Sequence, residues 1–353
     1  MEKTFSRTEL LDVLEKAKFG IAPKEEIEQS QSFIFDNDRI YTYNDNIGVS
    51  VPFKTGLKCA VPSLPLLTLL RKLKKDDIIL SFQDGALSVR QGKRVAVEIT
   101  ANADIILPFD SKIKPPKVME KLSYGGAFEE GVKFCQFCVC DDTQRLQLCG
   151  VHIASDAKGT FIESTDRFRL VRRYISGEPT KLNISLPLDA AKALCQLEPV
   201  SCGASEGWLY FNCKGGVLFA CWTPAEAYPD LLKTFDEVSS RGKAVKLEIP
   251  AKVSDILELA TQFSIQTSAK DSRIVIKVEN GRLTVSTTGL YGKFEEHCKI
   301  DSKASLTFAL HPKTLAEYLA ISNKINVVNE SFMYVRSKKY WHLITLDVHH
   351  MKD

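Results

Sequence analysis

Three prolines at equal intervals constrain this chain more than any other feature. Pro62, Pro187 and Pro312 stand 125 residues apart each time in a chain of 353 residues. Each sits in a related phrase: Ala60-Val-Pro-Ser-Leu-Pro-Leu-Leu-Thr-Leu-Leu70, Ser185-Leu-Pro-Leu-Asp-Ala-Ala-Lys-Ala-Leu-Cys195 and Ala309-Leu-His-Pro-Lys-Thr-Leu-Ala-Glu-Tyr-Leu319. A fixed period of this kind marks repeated structural units. Proline suits the first turn of a helix, where its φ is pre-set and its missing N–H is not needed. Seven residues after each proline stands Leu69, Leu194 or Leu319. Two helical turns bring each leucine back to the proline's face.

A second amphipathic stripe precedes each phrase. Val253, Ile256, Leu257, Ala260 and Phe263 follow helical spacing. Leu10, Val13, Leu14 and Ala17 do the same in the first third, and Phe128, Val132 and Cys135 in the second. Strand signals fill the gaps. Arg273–Val278 and Arg282–Ser286 flank Asn280-Gly281, the strongest short hairpin signal. Ile79–Phe82 with Ala86–Val89 around Asp84-Gly85, and Trp208–Phe211 with Val217–Trp222 around Gly215-Gly216, read likewise. Each third therefore runs helix, strands, proline-started helix, strands. The expectation is an α+β chain of three units, 1–112, 113–240 and 241–353, with polar linkers at Ser111–Lys117 and Ser239–Lys243.

Composition agrees with a globular chain: 44% hydrophobic, 26% charged and 9% aromatic residues, with a formal charge of +3. That balance permits a nucleic-acid partner without demanding one. No run of 18 apolar residues occurs, and the start carries no apolar signal region, so neither a membrane span nor a secretory leader is expected. Ten cysteines, eight of them between 135 and 221, then read as reduced and mostly buried thiols.

Enzyme motifs fail on context. Gly203-Ala-Ser205-Glu-Gly207 matches a nucleophile elbow as a string. The elbow needs a strand before the serine and a helix after it; here a helix precedes and a strand follows, so a small-residue turn is the reading. Cys135-Gln-Phe-Cys138 has no second pair at zinc spacing, and a structural zinc site needs four ligands. No phosphate-binding loop occurs, the histidines form no metal pair, and His349-His350 reads as a frayed tail. No catalytic residue, metal site or cofactor is expected.

Two basic segments stay open on local chemistry alone. Arg71-Lys-Leu-Lys-Lys75 ends a helix, where cations offset the dipole, and it could equally face phosphates. Thr165-Asp-Arg-Phe-Arg-Leu-Val-Arg-Arg-Tyr174 alternates arginine with apolar residues. As a strand it would place Arg167 and Arg169 on one face, and Phe168 and Leu170 on the other.

At Thr165-Asp-Arg-Phe-Arg-Leu170 the chain resembles the bacterial sliding clamps, the beta subunit of the replicative DNA polymerase, which usually carry Thr-Asp-Gly-His-Arg-Leu there. Ala227-Tyr-Pro-Asp-Leu231 resembles a second clamp motif, Phe-Pro-Asp-Tyr, and the helix through Leu259-Ala-Thr-Gln-Phe a third. The resemblance spans essentially the whole chain. It implies three repeated clamp domains, each of two helices packed on antiparallel sheets, and a head-to-tail homodimeric ring around double-stranded DNA. It implies a processivity factor rather than an enzyme, cytoplasmic and nucleoid-associated. Polymerase, clamp loader and repair proteins would dock through short linear motifs. The implied peptide pocket comprises Leu148, Thr165, Arg167, Phe168, Arg169, Leu170, Pro229, Leu343, Ile344, Thr345 and Leu346. The implied DNA-facing residues are Lys24, Arg71, Lys72, Lys74, Lys75, Gln144 and Arg145. The family's Gly-His is Arg167-Phe168 here, and its closing Met-Pro-Met-Arg-Leu is Ile344-Thr-Leu-Asp-Val348. These departures suggest a divergent clamp, with a phage or another mobile replicon as one source. The competing reading is a clamp-fold scaffold that binds peptides without encircling DNA.

Overall fold

The computed structural model describes residues 2–177, 181–268 and 271–347; the pair His349-His350 and Val348 lie outside them. The chain divides into two compact units. One comprises Met1–Ile162 and Tyr174–Tyr228, the other Glu163–Arg173 and Pro229–Asp353.

The first unit holds helices α1 (Arg7–Ala17), α2 (Ser63–Lys72), α3 (Phe109–Lys112), α4 (Gly126–Cys135) and α5 (Leu188–Leu197). α1 packs on α2, and α4 on α5. Leu10, Val13, Leu14 and Ala17 are the buried face of α1, as their spacing requires. Ser6 caps that helix by accepting from the Glu9 N–H at 3.1 Å. A four-stranded antiparallel sheet runs in the order Lys3–Ser6, Asp77–Gln83, Ala86–Gln91, Val95–Thr100. An eight-stranded sheet begins at Lys58–Pro62, Ser32–Asp36, Arg39–Tyr43 and Ile47–Pro52. It continues through Leu218–Trp222, Trp208–Cys213, Pro199–Ser205 and Glu120–Lys121. Ile34, Tyr41, Tyr43, Phe109, Ile113 and Tyr210 form one core beneath it.

The second unit holds α6 (Leu231–Ser239), α7 (Lys252–Phe263) and α8 (Pro312–Leu319), with α7 on α8. Arg169–Tyr174 pairs antiparallel with Tyr340–Thr345, placing Arg169 opposite Ile344 and Leu170 opposite Leu343. Phe332–Arg336, Lys324–Val328 and Val245–Glu248 extend that sheet. A second sheet runs Gly292–Lys299, Arg282–Gly289, Ile274–Glu279, Leu306–Leu310. Val253, Ile256, Leu257 and Ala260 of α7 pack into a core with Ile276, Val285, Phe308, Tyr318 and Ile344.

Several sequence expectations shift in register. Pro62 and Pro187 are the residues before α2 and α5, whereas Pro312 is the first residue of α8, behind the cap His311. The seven-residue rule holds for Leu194, which is fully buried, while Leu69 and Leu319 are half-buried. These two leucines sit at the margin of a face centred on Leu66, Leu67 and Leu70 in α2 and on Leu315 and Tyr318 in α8. The boundary at Ser239 is preceded by a full helix, α6, whose Leu231, Phe235 and Val238 are buried. Asp230 caps it by accepting from the Lys233 N–H at 3.0 Å.

The Asn280-Gly281 hairpin forms with both residues at positive φ, 52° and 74°. Ser205 ends the strand Pro199–Ser205, and a turn through Glu206 (φ 52°) and Gly207 (φ 79°) leads to Trp208–Cys213. A strand, not a helix, therefore precedes Ser205. No helix follows, so an exposed elbow does not form. The described cysteines are free thiols, and burial pushes Cys59, Cys202 and Cys213 up to about 12. Among the described residues, no three His, Cys, Asp or Glu gather to hold a metal, and no helix is long and apolar enough to cross a membrane.

Candidate functional site

Asp166 builds the most distinctive concavity of the second unit. Its Oδ1 accepts from the N–H groups of Phe168 at 3.0 Å and Arg169 at 2.7 Å, an Asx turn that competes with strand formation. Thr165 closes it from the other side: its hydroxyl donates to the Arg169 carbonyl at 2.7 Å and accepts from the Arg167 N–H at 3.0 Å. Arg167 consequently takes φ 80°, a left-handed conformation at the position where the resembled clamps carry glycine. Residues 166–168 are thus a turn, not a strand, and the expected alternation of Arg167 and Arg169 on one face does not occur. The strand starts at Arg169.

This turn holds Phe168 out from the surface, 64% exposed. The Phe168 carbonyl accepts from both the Thr345 N–H (2.8 Å) and the Thr345 hydroxyl (3.0 Å), locking the turn to the end of the last strand. Between them lies a recess of about 610 Å³. Its floor is aliphatic, from Leu310, Ile344 and Leu346. Its rim is charged but internally paired. Arg169 reaches Asp166 at 2.7 Å and Glu317 at 2.9 Å, and Arg273 reaches Asp347 at 2.9 Å. His311 caps α8, its Nδ1 accepting from the Lys313 N–H at 3.2 Å. With the rim charges satisfied, the surface left to a ligand is the apolar floor and the Phe168 ring. A short apolar segment with polar flanks matches that chemistry.

Of the residues expected from resemblance, Phe168, Arg169, Ile344, Thr345 and Leu346 line this recess. Thr165 and Arg167 build its turn without lining it. Leu170 and Leu343 are buried cross-strand partners beneath it. Pro229 is exposed at the start of the second unit's main segment, and Leu148 is buried in the first unit at a one-turn helix, Leu146–Leu148. Asp166, Arg273, Leu310, His311, Thr314 and Asp347 also line the recess. For Asp166 a signal is present, since an aspartate can bond the backbone two residues on and so start an Asx turn. The others come together only through the tertiary fold: Leu310 ends a strand, His311 and Thr314 open α8, and Arg273 is brought to Asp347 by their ion pair.

The expected DNA-facing residues all lie in the first unit. Arg71 is tied to α1, its Nε and Nη2 at 2.9 and 2.6 Å from Glu15. Burial alone would raise the Glu15 carboxyl, but hydrogen bonds from Lys18 and Arg71 outweigh it and hold it below its usual range. Lys72, Lys74 and Lys75 line a recess of about 810 Å³ that also gathers Lys93 and Arg94, which the sequence reading does not include. Lys24 is exposed in a loop. Gln144 and Arg145 sit in a turn held by Asp142, which accepts from the Gln144 N–H at 3.0 Å and lies 3.6 Å from Arg145.

No protein-family model and no curated protein matches the chain. Solved structures do. The DnaN sliding clamp (DNA polymerase III subunit beta) of Bartonella birtlesii bound to griselimycin superposes with a TM-score of 0.81 at 15% identity, covering 98% of this chain and 99% of that one. The DNA polymerase III beta subunit of Thermotoga maritima gives 0.80 at 16% identity, over 98% and 99%. The beta chain of Streptococcus pneumoniae gives 0.84 at 13% identity, over 98% and 99%. The chain has the fold of the bacterial sliding clamps along essentially its whole length.

Proposed function

We propose that this protein is a DNA sliding clamp, a non-enzymatic processivity factor that closes as a head-to-tail homodimer around duplex DNA and tethers a replicative polymerase, a clamp loader and repair proteins. The observation that carries this reading is the end-to-end likeness to clamps of at least three bacteria, with no large segment left over on either side. In this reading the chain is three domains, 1–112, 113–240 and 241–353.

Two edges support the ring. Among the described residues, Val95–Thr100 pairs only with Ala86–Gln91, and Gly292–Lys299 only with Arg282–Gly289, so each leaves one row of backbone donors and acceptors open. Pairing the first edge of one copy with the second edge of another satisfies both rows, and repeating that bond head to tail closes a ring of two where the angle between the edges allows it. Sequence-independent attraction to phosphates would come from the recess gathering Lys72, Lys74, Lys75, Lys93 and Arg94, with Lys24, Gln144 and Arg145 as further contacts. The Phe168 recess would receive the partners' linear motifs, and in the Bartonella clamp griselimycin shows that a clamp of this fold takes a bound ligand.

Retention on nicked circular DNA with escape from linear ends tests the mechanism, because only a topological link discriminates the two. Equal retention on both would leave a peptide-binding scaffold as the reading. Light scattering should give a mass near twice 39.5 kDa.

A further inference from the structure

A turn in the first unit repeats the Asx and backbone bonds of the turn that builds the Phe168 recess in the second. Asn44 Oδ1 accepts from the N–H groups of Asn46 (3.1 Å) and Ile47 (2.8 Å), as Asp166 accepts from Phe168 and Arg169. The Asn44 N–H donates to the Ile47 carbonyl at 3.0 Å, as Asp166 does to Arg169 at 3.3 Å. Asp45 takes φ 69° where Arg167 takes 80°. The Asn46 carbonyl accepts from the Trp222 N–H at 2.9 Å, as Phe168 accepts from Thr345.

The side chains around the two copies differ completely. Beside the first turn is a recess of about 410 Å³ walled by Tyr43, Trp208 and Trp222, with Leu146, Asp45 and Lys112 at its margin. Trp208 and Trp222 are direct cross-strand partners, and the Tyr43 ring stacks on Trp208 with centroids 6.1 Å apart. Two of the chain's three tryptophans are therefore half-exposed in one place.

Elsewhere the chain fills this combination of ring and carboxylate with its own arginine. Arg39 lies 4.8 Å over Tyr41 and bonds Asp36 and Asp110. Arg172 lies 5.0 Å over Trp341 and bonds Glu163 at 2.7 Å. Arg336 lies 5.2 Å over Phe235 and bonds Asp236 at 3.0 Å. At the tryptophan recess the Tyr43 hydroxyl donates to Asp45 at 2.8 Å. Among the described residues no cation stands over Tyr43, Trp208 or Trp222, and no ion pair reaches Asp45.

We propose that this recess is a second docking site, which takes an arginine side chain from an exposed peptide segment of a partner protein. The guanidinium would lie on the indole faces and pair with the Asp45 carboxylate. Arginine is favoured over lysine because its planar, weakly hydrated group stacks and pairs at once. Lys112, exposed at the rim, opposes the incoming charge and sets a modest affinity. The site does not depend on ring closure or on what the Phe168 recess binds.

The test uses the full-length protein and three probes, acetyl-Gly-Arg-Gly-amide and its citrulline and leucine counterparts, read on the indole N–H resonances. The arginine peptide should shift the two resonances that vanish in Trp208→Phe and Trp222→Phe, and leave that of Trp341. The citrulline peptide should bind at least threefold more weakly. Asp45→Asn should weaken the arginine peptide at least threefold, and Lys112→Glu should tighten it. Absence of an indole shift at millimolar arginine peptide, equal binding of the leucine peptide, or an unchanged affinity in Asp45→Asn would each overturn the assignment.

Discussion

The ring of Tyr318 lies stacked on the imidazole of His342, centroids 5.1 Å apart and 26° from parallel, with both side chains fully buried. Burial, reinforced by the Arg169 charge, pushes His342 down to about 3 from an ordinary 6.5. Between those values the unfolded chain takes up a proton that the folded chain refuses. Stability therefore falls as pH drops below about 6.5 and is level above it with respect to this group. Glu15, Asp76 and Asp271, all held low, add their own loss only below their ordinary values of 4.5, 3.8 and 3.8. Between pH 6.5 and 4.5 the slope from His342 should approach about 1.4 kcal/mol per pH unit. Urea midpoints across that window check it, and His342→Gln should flatten the profile whatever it does to stability at pH 7. An unchanged slope in that variant would assign the acid sensitivity elsewhere.

Phe168 and Leu346 separate binding from folding. Phe168 is 64% exposed, so Phe168→Ala should move stability by less than about 0.5 kcal/mol. It should nonetheless weaken a synthetic peptide of the cognate polymerase's clamp-binding motif at least tenfold, as loss of a central aromatic anchor does. Leu346 lines the same recess but belongs to the core of the second unit. Leu346→Asp should therefore lower the unfolding midpoint as well as abolish binding. Wild-type affinity in Phe168→Ala, measured by titration calorimetry, would remove the recess from the binding account.

The Glu163–Arg172 pair is nearly sealed, with side chains 2% and 4% exposed and 2.7 Å apart. Removing one partner strands a buried charge at a cost of about 3–5 kcal/mol. Arg172→Met should lose that much in urea unfolding. The double variant Glu163→Leu/Arg172→Met should recover most of it, because both charges of the pair are then removed together. Additive losses would mean that the pair is not energetically coupled.

Salt titration of DNA binding distinguishes free cations from committed ones. Each phosphate contact removed should lower the slope of log affinity against log salt by about 0.9. Lys74→Ala and Lys93→Ala should each show such a drop. Arg71→Ala should change the slope less, since Glu15 already neutralises that guanidinium at 2.6 Å. The reverse ranking would place the duplex against α2 rather than against the lysine recess.

Local signals in this sequence are reliable wherever one element decides its own structure. The stripe Leu10, Val13, Leu14, Ala17 is the buried face of α1, and Asn280-Gly281 turns its hairpin with positive φ at both residues. Signals fail where a side chain overrules the pattern. Arg167-Phe168 alternates like a strand, but the Asp166 carboxylate captures two N–H groups and makes a turn. α6 hides behind a linker-like end because its Asp230 cap and its Leu231–Phe235–Val238 face occupy only nine residues. The recess floor is half legible: Ile344 and Leu346 come from the clamp motif. Leu310 and Arg273 reach it only through the pairing of Ile274 with Leu310 and the bridge of Ala309 to Asp347. The Trp208–Trp222 wall likewise depends on a hairpin register that no periodicity announces.

Carrying both an open edge at Val95–Thr100 and another at Gly292–Lys299 has a material consequence. A bond between unlike edges of identical chains has no intrinsic end: the same contact yields a closed pair at one angle and an endless fibre at another. Nothing in the hydrogen bonds themselves chooses between these outcomes, so the stiffness of the chain between the two edges must. Substitutions that loosen that stretch would turn a countable assembly into a polymer, visible as turbidity that grows with concentration while each molecule remains folded.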